Sequence, residues 1–423
     1  MTPATGQETI DIAALRVGMF VHLDGGWLSH PFPLSSFAIS SMEQIDRLRA
    51  LGIQRLRWSP ELSEPEPVLG DADEVVPSAG PAGSSPLPDE SEAGIRRAAL
   101  AEQRQRLALC DRQFGEAARS FQSVYDQAIE APREAAGEAT RLAAALTSKM
   151  LTSDEICIRL LTEDAGDQVA AHPINVTVLT LLLARRLQFS ASDMADLGLG
   201  ALLHDIGKID LPSHAHQTEE TTNRADRQLY ESHVAMGVAR ARRMGLSNGA
   251  TLIVAQHHEM NDGSGFPRAL RDERITPLAQ VVALANRYDN LCNPDRLSRA
   301  ITPHEAMATL FAHGRHLFDP LVLETFIKMM GVYPPGSIVQ LTDDRLGIVE
   351  SVNPLRPLKP RVLVYDRRVD AAEALHTDLE QAPGLGIRRS LKPRALPREV
   401  YDYLAPRRRL NYFPDLGELA IAA

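Results

Sequence analysis

The sequence predicts a mainly α-helical protein, a helical bundle preceded by a small α/β module and followed by a small β-rich appendage. Three observations carry this. Residues 94–331 read as mostly helical, with Ala, Leu, Arg, Gln and Glu dominating 94–150 and strongly apolar stretches such as VTVLTLLLARRL following. Residues 8–62 instead break short alternating runs with glycine. From Tyr333 onward, YPPGSIVQLTDDRLGIVESVNP and KPRVLVYD alternate apolar and polar residues between turns.

Taken in order, the first module spans 1–62. Leu15, Val17, Met19 and Val21 read as strand, interrupted by Gly18 and Gly25-Gly26. In SMEQIDRLRALGI, Met42, Ile45, Leu48 and Leu51 have helical spacing, with Ser41 as cap and Gly52 as stop. Residues 63–93 are Pro-, Ser-, Gly- and acid-rich and read as a disordered linker, with a surface loop as the alternative. The bundle follows over 94–331, and the β-rich appendage and tail over 332–423, with the tail expected to pack back on another part of the chain. No internal repeat of fixed period is evident.

At 423 residues the chain is long enough for two or three units. A net charge of −10 and 5% aromatic content argue against a DNA- or RNA-binding protein. An anionic ligand would need local positive charge or metal. No segment has the roughly 20 apolar residues of a membrane span, and the N-terminus does not read as a signal peptide. Cys110, Cys157 and Cys292 are scattered and fit a reducing cytoplasm.

The chemistry concentrates in His172, His204, His233, His257 and His258, with Asp205 next to His204. Each lies in or beside an apolar helical stretch, and imidazoles buried among Ala, Leu and Val need partners. A shared metal supplies them, and imidazole with carboxylate suits iron, manganese or zinc. Helix neighbours point about 100° apart, so the pairs 204–205 and 257–258 contribute together only at helix ends or around more than one ion. The second option gives a dinuclear site bridged by Asp205. Two ions about 4 Å apart can clamp both sides of a phosphodiester for in-line attack.

HDIGK (204–208), His233 followed by Gly237, and HHEMNDGSGFP (257–267) resemble the HD-GYP family of cyclic di-GMP phosphodiesterases. LRVGMFVHLDGGWLSHPF resembles the small uncharacterised domain often found ahead of it. The resemblance implies hydrolysis of cyclic di-GMP to pGpG or GMP in bacterial signalling, using two divalent ions, iron or manganese. It implies His172, His204 and Asp205 as ligands of a first metal, with Asp205 bridging, and His233, His257 and His258 as ligands of a second. Lys208 matches a lysine near the scissile phosphate, giving Asp205 and Lys208 the catalytic roles. Asp262, Gly263, Gly265 and Phe266 match the substrate loop that names the family, its glycines letting backbone approach the ligand. Arg296 and Arg299 match phosphate-holding positions.

Four features depart from the pattern. Asn286 stands where the family's last metal-binding Asp falls, so Asn286 is expected to ligate through its carbonyl oxygen, ahead of a shifted Asp289. Gln168 replaces the Glu of trinuclear members. Phe266 replaces the signature Tyr. The segment after HDIGK lacks the usual Lys-Pro-rich turn, and its His214 and His216 read as surface residues. These changes leave a second function open: a degenerate module that binds cyclic di-GMP or a protein partner without turnover. A hydrolase for another nucleotide is disfavoured by the DGSGFP loop. The helices of 94–150 could pair two chains or meet a signalling partner.

Overall fold

The computed structural model describes residues 8–23, 36–39, 41–63, 91–151, 157–161, 168–212, 215, 224–294, 296–406 and 409–415. Most of the expected linker, Gly25-Gly26, His214 and His216 lie outside the described residues. The chain divides into two compact units, Met1–Gln105 with residues 418–423, and Arg106–Gly417.

In the first unit, β1 (Glu8–Asp11), β2 (Phe20–His22), β3 (Ser36–Ala38) and β4 (Arg55–Ser59) form an antiparallel sheet in the order β1-β4-β2-β3. Helix α1 (Met42–Ala50) starts where the Ser41 hydroxyl accepts from the Gln44 N–H at 3.3 Å. It buries Ile45 and Leu48, while Met42 stays exposed. Gly52 then takes a left-handed φ of 71°, as a helix stop requires. Leu15, Met19 and Val21 are buried but Val17 is exposed, because the chain turns at Val17–Gly18 instead of running on as strand.

Helix α2 (Glu92–Gln127) leads into α3 (Pro132–Leu151). Strand β5 (Cys157–Leu160) follows, then α4 (Gln168–Arg186), α5 (Ala191–Leu202), α6 (Arg224–Met244), α7 (Asn248–Gln256), α8 (Pro277–Cys292), α9 (Pro303–His313) and α10 (Pro320–Met330). Helix α4 is buried continuously from Pro173 to Ala184, Ile174, Val176, Val178, Leu179, Leu181 and Leu183 among them. It packs on α3, α5, α8 and α10, while α7 packs on α5, α6 and α8. This brings the ends of α5 and α7, the middle of α6 and the first turn of α4 to one place.

The C-terminal region adds β6 (Ile338–Leu341), β7 (Leu346–Val352), β8 (Arg361–Val364), β9 (His376–Asp378), β10 (Ile387–Leu391), α11 (Arg398–Leu404) and β11 (Tyr412–Asp415). The sheet runs β10-β6-β7-β5-β11, with β8 on β7 and β9 on β8. Its core is Val339, Leu341, Val349, Val352, Val362, Val364 and Leu379. The sheet is not confined to 332–423, because β5 comes from within the helical span and pairs with both β7 and β11. The tail packs back through β11, whose Tyr412 and Phe413 are fully buried. Its Asp415 accepts from Arg159 Nε at 2.6 Å and Arg106 Nη2 at 3.3 Å. Among the described residues, no helix is long and apolar enough to cross a membrane.

Candidate metal centre

His204 follows the last turn of α5, and its Nδ1 donates to Ala201 O at 2.6 Å. His233 lies within α6, with Nδ1 donating to Tyr230 O at 2.6 Å. His257 caps α7, with Nδ1 donating to Val254 O at 2.9 Å. A carbonyl only accepts, so all three rings carry their proton on Nδ1 and present a bare Nε2. His172, in α4, has Nδ1 2.6 Å from Asp289 Oδ2, which imposes the same tautomer.

The bare nitrogens converge. His172 Nε2 is 3.2 Å from His204 Nε2, and His233 Nε2 is 3.3 Å from His257 Nε2. Between the pairs stands Asp205, its side chain 11% exposed, with its two oxygens divided. Oδ2 faces His204 at 3.4 Å and His172 at 3.6 Å, while Oδ1 faces His233 at 3.4 Å and His257 at 3.5 Å. Oδ1 is buried without a hydrogen-bond partner. Facing lone pairs and an orphaned carboxylate oxygen are what a bound cation would satisfy. The ligand atoms fall into two groups sharing Asp205: one with His172 and His204, one with His233, His257 and His258.

The electrostatics agree. Burial pushes His204 down to about 4 and His233 down to about 3. Burial, then His257 and His233, holds His258 well below the usual imidazole range. Burial alone would raise the Asp205 carboxyl, but Lys208 and then His204 outweigh it and hold it far below the usual carboxylate range. Lys208 Nζ sits 2.6 Å from Asp205 Oδ2 and 5.6 Å from the centre of the Tyr230 ring.

The turn carrying Lys208 docks on α6 because Gly207 has no side chain. A Cβ there would lie 2.0 Å from His233 O. Gly265 acts alike in the loop after α7, where a Cβ would meet His258 O at 2.4 Å and Met260 N at 2.5 Å. The backbone that Gly265 approaches is the chain's own, at residues 258–260. Gly263 turns the loop, and a Cβ on it would meet the Arg271 side chain. Phe266 is thereby laid on His258, rings stacked with centroids 4.4 Å apart. Asp262 is exposed, and its Oδ1 accepts from Ser264 N at 2.9 Å and Ser264 Oγ at 2.6 Å, which shapes the loop tip.

Asn286 is buried on α8, and its Oδ1 already accepts from Asn290 Nδ2 at 2.8 Å. Arg296 and Arg299 are exposed beside the short turn Leu297–Arg299. The structure thus brings the five histidines, Asp205 and Lys208 together with Phe266 stacked alongside, and leaves the two arginines at the surface.

Sequence reasoning missed three contributors. Tyr230 supplies the carbonyl for His233, and its hydroxyl lies 3.3 Å from His258 Nε2. Its place three residues before His233 was the available signal. Asp289 was weighed only as a substitute ligand, yet it orients His172. Buried Glu259 closes the loop by accepting from Arg268 N at 2.8 Å and Leu270 N at 2.7 Å.

Comparison with known proteins gives the site a lineage. Residues 142–322 match the family model described as HD domain, and residues 7–139 match a domain of unknown function, DUF3391. A cyclic di-GMP phosphodiesterase of Pseudomonas aeruginosa is 30% identical over 368 residues, 85% of each chain. The chain belongs to the HD-GYP family. Two further relatives match a shorter stretch: the cyclic di-GMP phosphodiesterase PdeB of Borreliella burgdorferi is 22% identical over 45% of this chain and 50% of its own. A cyclic di-GMP phosphodiesterase response regulator of Xanthomonas campestris is 30% identical over 35% of this chain and 39% of its own. Against these two, the HD-GYP chain spans half their length or less. A solved HD-GYP-type protein from Bdellovibrio bacteriovorus matches with 16% identity and a TM-score of 0.41, over 76% of this chain and 98% of that one. The two family models meet inside α3, whose C-terminal half buries Leu142 and Leu146 in the helical unit.

Proposed function

We propose that this chain hydrolyses cyclic di-GMP to pGpG or GMP with two divalent ions, iron or manganese, as a cytoplasmic step of bacterial second-messenger signalling. The observation that carries the reading is the division of Asp205, with one carboxylate oxygen turned to each histidine set. When bound, two such ions supply Lewis-acid polarisation of the phosphodiester and a nucleophile at neutral pH. His172 and His204 would hold one ion and His233, His257 and His258 the other, with Asp205 between them. Lys208 keeps a positive charge at the Asp205 edge where phosphate charge develops. Phe266 on His258 offers an apolar face for a base, and Arg296 and Arg299 offer forks for the phosphates.

Asn286 favours a second reading. It replaces a carboxylate with a neutral amide whose oxygen is already engaged. On that reading the module binds cyclic di-GMP, or a protein partner, without turnover. Full-length protein loaded anaerobically with iron(II) or manganese(II) decides between them. The hydrolase reading expects about two ions per chain and release of pGpG or GMP. Micromolar binding of cyclic di-GMP without release under any metal establishes the second reading. Fewer than one ion per chain removes the dinuclear centre.

A further inference from the structure

We infer that the C-terminal segment Leu410–Tyr412 is an outer part of the metal centre, and that Asn175 and Asn293 are positioning residues acting on His172 through Asp289. The inference rests on the two-metal reading above.

Asp289 is fully buried on α8. A carboxylate so placed must be held by donors. Its Oδ2 accepts from His172 Nδ1 at 2.6 Å. Its Oδ1 accepts from Asn175 Nδ2 and from Asn293 Nδ2, both at 2.9 Å. Asn175 lies one turn after His172 on α4, and Asn293 caps α8 one turn after Asp289.

Both amides are also bound to the tail. Leu410 O accepts from Asn175 Nδ2 at 2.7 Å and from Asn293 Nδ2 at 2.8 Å. In return, Leu410 N donates to Asn293 Oδ1 at 2.7 Å and Tyr412 N donates to Asn175 Oδ1 at 2.9 Å. Each amide therefore spends both N–H groups and its oxygen bridging one carboxylate and one strand. Neither can rotate without giving up bonds on both sides. The strand end is fixed in turn, since β11 pairs with β5 and Asp415 lies between Arg159 and Arg106. A segment more than a hundred residues away in sequence thus sets the carboxylate that fixes the ring and tautomer of His172.

Groups that orient a ligating histidine are worth about 10- to 100-fold in metal affinity. This network touches His172 and none of the rings at the other set, so its loss acts on one ion of the two.

The test uses the full chain and manganese(II) alone. Free ion is followed by its paramagnetic resonance signal, and the coupled two-ion signal is read in the same samples. Asn293→Ala removes one of the two amide bridges, leaving that of Asn175, and Asn293→Ser, too short to reach both partners, serves if the alanine variant does not fold. The expected result is one ion weakened by about 10- to 100-fold, loss of the coupled signal, and the second ion held as in the unaltered chain. Two ions bound as tightly as before overturn the inference, and so does equal weakening of both ions, which marks general loosening. Fewer than two ions on the unaltered chain instead overturns the two-metal reading, and the inference with it.

Discussion

The Nε2 atoms of His172 and His204 stand 3.2 Å apart, and each ring has its proton committed to the opposite nitrogen. Lone pair faces lone pair. A proton on His204 would relieve this, but burial pushes that ring down to about 4. A metal ion placed between the two nitrogens would relieve it, and imidazole with carboxylate is a donor set that accepts one.

That relationship predicts how the metal-free protein responds to acid. His204 and His233 titrate at about 4 and about 3 in the fold, against 6.5 when unfolded. Below pH 6.5 the unfolded chain therefore takes up protons that the fold refuses. Stability is full above 6.5 and is lost as pH falls toward 4, by about 1.4 kcal/mol per pH unit for each ring. Asp205, held far below its ordinary range, adds loss in the same direction at lower pH. Urea midpoints of chelator-treated protein should agree at pH 8 and 7 and drop at 5.5. An unchanged midpoint at 5.5 would contradict neutral, Nδ1-protonated rings.

Lys208 and Asp205 separate chemistry from assembly. Lys208 touches Asp205 Oδ2 but offers no ligand atom to either group. Lys208→Met should keep both ions and lower kcat by about 10²- to 10³-fold, the range for removing one donor of transition-state charge stabilisation. Asp205→Ala should release metal and abolish turnover together, since both groups share that carboxylate. Metal analysis beside steady-state rates checks both. Full metal content in Asp205→Ala would refute the bridging role.

The helical fold and the grouping of the histidines with Asp205 were legible because histidines in apolar helical stretches are costly without a partner, and here five of them recur with one Asp. What surrounds them was less legible. Nothing in ALANRYDNL says that Asp289 faces His172, because that depends on how α8 is rotated against α4. Strand β5 was hidden in a span of helical composition, since its pairing partners at Val352 and Tyr412 lie far along the chain. The loop glycines were visible, but not the surface each one meets. Gly265 meets the backbone of 258–260, a contact only the fold creates.

Asn286 offers the sharpest prediction because charge and burial pull in opposite directions there. The side chain is 3% exposed and accepts from Asn290. In Asn286→Asp, Asn290 can still donate to one oxygen, leaving the other for an ion. Without metal, a buried carboxylate gains one hydrogen bond against a large desolvation cost, so the chelated variant should be less stable by about 1–3 kcal/mol. With metal, the added negative charge should strengthen retention by about tenfold or more, the scale of one good electrostatic contact. The change in melting temperature should therefore reverse sign between chelated and manganese-loaded protein, measured side by side. Turnover should rise with retention if the missing carboxylate is what limits hydrolysis. A loaded variant that holds its ions no better than the original would show that Asn286 does not face the first ion.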